Sequence, residues 1–90
     1  MGHYFKTINE NAEGAARLSL FLGTRRITVP QLAKRTLYSD GMIYSIVNGY
    51  YWITERVMNK VADELNVDPD IFKSDDAIIK YLSASPTHAQ

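Results

Sequence analysis

The sequence predicts an all-α chain, a compact five-helix domain followed by a short extra C-terminal helix. Three observations predict it. Apolar residues recur at three- and four-residue steps, no stretch shows the two-residue alternation of a strand, and helix-start chemistry precedes one segment after another. A length of 90 residues gives room for one small domain with a single core. Hydrophobic residues at 46% and charged residues at 22% give the balance of a folded chain, not of a disordered one.

Residues 1–10 have no clear period and are expected to be a flexible N-terminal segment. From about Asn11 to Arg25 the residues Ala15, Leu18, Phe21, Leu22 and Arg25 mark one face of an amphipathic helix. Gly14 and Gly23 each weaken that helix by about 1 kcal/mol relative to Ala, so it needs tertiary support. A second helix follows over 29–36. Thr28 and Gln31 have the spacing of a reciprocal capping box, and Pro30 in the first turn forfeits no intrahelical bond. Its buried face is Leu32, Ala33 and Thr36.

After a short break at Leu37-Tyr38, Ser39 is placed to cap a third helix over 40–47. Its inward residues are Met42 or Ile43, then Ile46 and Val47. Asn48-Gly49 ends it, with Gly49 supplying the left-handed residue beyond the cap. Thr54 caps a fourth helix over 55–65, with Val57 or Met58, Val61, Ala62 and Leu65 inward. Asp68-Pro69 opens a single turn through Phe72. Ser74 caps a last helix near 75–82, where Asp75 and Asp76 in the first turn suit the macrodipole. The expected organisation is therefore a domain over 11–73, a short helix within 74–83 and a disordered tail over 84–90.

Composition excludes several function classes. There is no cysteine, which rules out disulfides and thiolate metal sites and suits a reducing cytoplasm. His3 and His88 lie near opposite ends and read as solvated terminal side chains, so no metal and no cofactor is expected. No run approaches the ~20 apolar residues of a membrane span, and the first ten residues lack the pattern of a secretory leader. No His, Cys or carboxylate cluster suggests an enzyme. The net charge is zero, yet residues 1–60 hold eight Lys or Arg against four Asp or Glu, while residues 61–90 hold two against six. Such polarity suits a nucleic-acid face opposite an acidic flank.

Two short helices joined by a tight turn, with one helix before and two after, define an architecture. The stretch "LAKRTLYSDGMIYSIVNG" resembles the helix-turn-helix core of the lambda-repressor-like (Cro/Xre type) DNA-binding domains. The likeness rests on Leu32-Ala33, on Ile43 eleven residues after Leu32, and on Ile46 and Asn48-Gly49. It continues into "ADELNVDPDIF" and so runs from Leu18 to Phe72. The sequence also departs from the family's pattern. Many members pair an Arg in the first helix with a Glu just before Asn-Gly. Here Leu22 and Val47 replace both charges together, an exchange that leaves no charge buried alone. Leu37 occupies a position where many members have a left-handed Gly, and a slightly different turn is expected there. The outward face of the third helix carries no Lys or Arg.

The resemblance implies a small transcriptional regulator, repressor-like, bacterial or phage-encoded and cytoplasmic. Its partners would be double-stranded operator DNA and a second copy of itself, with the third helix in the major groove. Base edges would meet Ser39, Asp40, Gly41, Tyr44 and Ser45, with Asp40 able to accept from a cytosine amino group. The DNA backbone would meet Thr28, Gln31, Asn48, Tyr50 and Arg56. Arg25, Arg26, Lys34 and Arg35 would add positive field, although Lys34-Arg35 also reads as a solvated helix face. Trp52 and at least one tyrosine are expected to be half-buried packing groups. A dimer contact is expected at Phe72, Ile78, Ile79 and Leu82, residues that can alternatively cover the monomer's own core. The competing reading is a protein-interaction module on the same scaffold, similar to an antirepressor or antitoxin, because a Tyr- and Trp-rich face with little charge is also the composition of an interface core.

Overall fold

The computed structural model describes residues 5–84. The first four residues, the last six and with them both histidines lie outside the described residues, as does most of the expected tail. The elements are α1 (Ile8–Arg25), α2 (Val29–Thr36), α3 (Asp40–Val47), α4 (Glu55–Leu65), a 3-10 turn (Pro69–Phe72) and α5 (Asp75–Ala84). Among the described residues no helix is long and apolar enough to cross a membrane. Helix α2 packs against both α3 and α4, while α1 packs against α3, the 3-10 turn and α5. One core joins them. Leu18, Leu32, Ile43, Ile46, Ile53, Met58, Val61, Phe72 and Ile78 are all essentially sealed from solvent.

Local chemistry sets most of the boundaries. Thr28, Ser39 and Thr54 each accept a bond from the amide three residues on, and Asp68 accepts one from Asp70. The Thr28 box is complete, with the Thr28 amide donating to Gln31 Oε1 at 2.9 Å. Ser74 caps α5 by accepting from the Ala77 amide at 3.0 Å. Both Val57 and Met58 turn inward.

The N-terminal segment departs from expectation. Residues 5–10 are built into the domain instead of trailing from it. Thr7 and Glu10 form a second capping box, so α1 starts at Ile8 and not at Asn11. Phe5 is buried, and its ring lies where a Cβ on Gly14 would stand. Gly14 is thus the seat of an aromatic ring as well as a weak point of the helix.

Leu37 also departs from expectation. It keeps the left-handed conformation that glycine favours, at φ 66° and ψ 20°, with its side chain 86% exposed. Thr36 sets up the turn around it. Its buried hydroxyl donates to Leu32 O at 2.9 Å and accepts from the Tyr38 amide at 3.4 Å. The turn is therefore the ordinary one with an unfavourable residue in it.

At the C-terminal end, Phe72 and Ile78 do not offer a dimer contact. Phe72 meets the Phe21 ring edge-on at 5.7 Å, and both Phe72 and Ile78 are buried in the chain's own core. Of the four residues expected to meet a partner, Ile79 is exposed and Leu82 half-buried. Arg17 fastens this end. It donates through Nε to Asp75 Oδ1 at 2.8 Å and through Nη1 to Phe72 O at 3.1 Å.

Two measurements of stability check these assignments. Gly14→Ala should lower stability because it evicts the Phe5 ring, whereas Gly23→Ala, where an added Cβ meets nothing within 4 Å, should raise it by up to about 1 kcal/mol. Equal signs in urea denaturation would contradict the account of Gly14. Leu37→Gly should raise stability by about 0.5–1 kcal/mol through relief of the left-handed leucine, and Leu37→Val should lower it.

Candidate nucleic-acid interface

The orientation of α3 follows from two side chains. Ile43 and Ile46 are 0% and 1% exposed, and Met42 and Val47 flank them half-buried. A helix rotated to bury those residues must turn positions 40, 41, 44 and 48 to solvent. Ser39, Asp40, Gly41 and Tyr44 are accordingly exposed, and Ser45 is half-buried at the edge. Four of the five residues expected to meet bases therefore share an open surface. Leu22 is buried and Val47 packs against the same apolar cluster, so neither position carries a charge.

The residues expected at the DNA backbone are less uniform. Arg56 is exposed and makes no ion pair among the described residues, which leaves its guanidinium available. Thr28 and Gln31 are exposed, but each side chain already bonds the other's amide, so the Gln31 side-chain NH₂ is the donor that the box leaves over. Asn48 donates one side-chain N–H to Tyr44 O at 2.8 Å, which leaves its second N–H for a phosphate oxygen. Among the nearby basic residues, Arg26, Lys34 and Arg35 are exposed. Arg25 is not part of that field in the way expected. Its guanidinium carbon lies 5.5 Å from both the Phe21 and Tyr81 ring centroids, a double cation–π contact that joins α1 to α5.

The loop after α3 is held from both ends. Gly49 takes φ +79°, and the Tyr50 and Tyr51 amides both donate to Ser45 O, at 2.9 and 3.1 Å. From the other side Asn11 clamps it. This asparagine is 2% exposed, accepts from the Ile53 amide at 2.8 Å and donates to Tyr51 O at 3.4 Å. Trp52 and Tyr38 are half-buried, as expected of one Trp and one Tyr, while Tyr50 is 85% exposed and Tyr51 also faces water. Sequence reasoning does not find Asn11. Its partners lie 40 and 42 residues away, and no local pattern distinguishes it from any other helical asparagine.

Asn11→Ala would leave a buried N–H and a nearby C=O without partners. A stability loss of about 1–3 kcal/mol is expected, together with faster hydrogen exchange at the Ile53 amide. An unchanged exchange rate there would contradict the clamp.

Compared with protein families, residues 17–73 match the Cro/C1-type HTH DNA-binding domain, which is more than half of the 90-residue chain. No curated protein and no solved structure matches it significantly. The matched span contains the whole of α2, α3, α4 and the 3-10 turn, and α5 lies beyond it. The turn between α2 and α3, the inward isoleucines and the capped open face are thus found within a recognised span, and the chain belongs to the Cro/C1-type helix-turn-helix DNA-binding domain family.

Proposed function

We propose that the chain is a small cytoplasmic transcriptional regulator, repressor-like, that binds double-stranded operator DNA with α3 in the major groove. The observation that carries this reading is the exposed face of Ser39, Asp40, Gly41 and Tyr44 on a helix fixed from behind by Ile43 and Ile46. A major groove about 12 Å wide admits one α-helix presented in this way. Ser39, Asp40, Gly41, Tyr44 and Ser45 then meet base edges. Arg56, Asn48, Tyr50 and the start of α2 at Thr28 and Gln31 meet phosphates and fix the register.

A single such module touches few base pairs, so the regulator acts as a homodimer on a two-fold site with half-sites about 34 Å apart. Ile79 and Leu82 on α5 are the residues of the expected dimer surface that remain accessible for it. A second reading, a protein-binding module of antirepressor or antitoxin type, is favoured by one observation. Tyr44, Tyr50, Tyr51 and Leu37 are all large, largely apolar and exposed.

Selection from a random duplex pool at low salt, followed by affinity measurement against salt, separates the two. The operator reading predicts an enriched site and steep weakening with salt, with a slope of about −0.9 per phosphate neutralised. A flat response with no enriched site would transfer the function to the protein-binding reading. Arg56→Ala should weaken binding to all sequences alike and reduce the slope by about 1. Tyr44→Ala with Ser45→Ala should instead lower the preference for the enriched site, by about 1–3 kcal/mol for each base that is no longer recognised.

A further inference from the structure

We propose that α3 reads the C5-methyl group of a pyrimidine, received between the bare Cα of Gly41 and the ring of Tyr44. The inference rests on the operator reading and adds the base chemistry that the site would take. It begins with a glycine that the fold does not need. Gly14 seats the Phe5 ring, and Gly49 adopts a positive φ. Gly41 does neither. A Cβ there would meet nothing within 4 Å, its φ is not positive, and it lies in the first turn of a helix, where alanine is the better helix former. The missing side chain therefore leaves room for something outside the chain.

Tyr44 lies three residues on, hence on the same helix face, and its side chain is 55% exposed. Together they bound an open stretch of the α3 surface without charge. The rest of the face narrows the choice of base. Guanine presents two acceptors in the major groove, matched best by Arg or Lys, and α3 has neither. Adenine is matched best by Asn or Gln. Between Asp40 and Val47 α3 has neither, and Asn48 at its C-cap belongs to the backbone contacts of the operator reading. The features left are the apolar methyl on C5 of a pyrimidine and the amino group of cytosine. The methyl suits the Gly41–Tyr44 seat. The amino group suits the carboxylate of Asp40, which makes no hydrogen bond or ion pair among the described residues. Thymine carries the C5-methyl by nature and 5-methylcytosine by modification, and the chemistry of the seat is common to both.

The test uses the full chain and a duplex enriched by selection. Each thymine is replaced in turn by uracil, which removes only the methyl, and each cytosine by 5-methylcytosine, which adds one. One thymine per half-site should prove sensitive, with uracil weakening binding about fourfold, the factor expected for one buried methyl. If the natural group is instead 5-methylcytosine, methylation at one cytosine should strengthen binding by a similar factor while every uracil substitution is neutral. Either result supports the seat. Gly41→Ala should preserve or raise the melting temperature and bring the methyl-to-unmethylated ratio close to one, because its Cβ occupies the seat. Salt-sensitive, sequence-selective binding that ignores every methyl, or a ratio that survives Gly41→Ala, would overturn the inference and leave the operator reading intact. Failure to enrich any site would overturn both.

Discussion

The burial of Ile43 and Ile46 is the constraint on which the rest of the interface depends. Two isoleucines removed from water contribute about 1.5–3 kcal/mol each, more than any surface interaction α3 makes. That free energy is available at one rotation of the helix only. The rotation joins both to the core that holds Leu32 and Ala33 of α2, and it turns Asp40, Gly41 and Tyr44 outward. Ala33 is buried as well, so a larger side chain there would overpack the core. The exposed face of α3 is thus a by-product of core packing, and its residues are free to vary in charge without loss of the fold.

That freedom explains how a family member can lack every cation on α3. Phosphate attraction supplies most non-specific affinity, and the cations that supply it need not stand on the reading helix. Outside α3, Arg26, Lys34, Arg35 and Arg56 are all exposed. Their absence from α3 itself leaves the helix with acceptors, an aromatic ring and a bare backbone. On the operator reading, affinity and discrimination are therefore carried by different elements.

What is legible in the sequence is what is decided within a few residues. Thr28 with Gln31, Ser39, Thr54 and Asp68-Pro69 announce helix starts because the groups they satisfy are two or three positions away. The Thr7–Glu10 box is equally local, but it sits ahead of the apolar period, where periodicity gives no sign of a helix for it to start. Other features depend on distant partners and leave no local mark. The Phe5 ring over Gly14, the Asn11 clamp on the 51–53 loop and Arg25 between two rings are of this kind. Apolar periodicity also does not say whether a residue faces a neighbouring helix or a second molecule. Phe72 and Ile78 look like Ile79 and Leu82 in sequence and have a different environment in the fold.

Helix α5 has a consequence for where the domain can be cut. It lies beyond the family span, yet its anchors belong to residues near the other end: Arg17 for Asp75, and Phe21 and Arg25 for Tyr81. Ile78 is sealed in the same core as Phe21 and Phe72. A chain trimmed to the family span would turn Phe21 and the neighbouring edge of the core toward water. The helix outside the recognised module is part of that module's apolar seal.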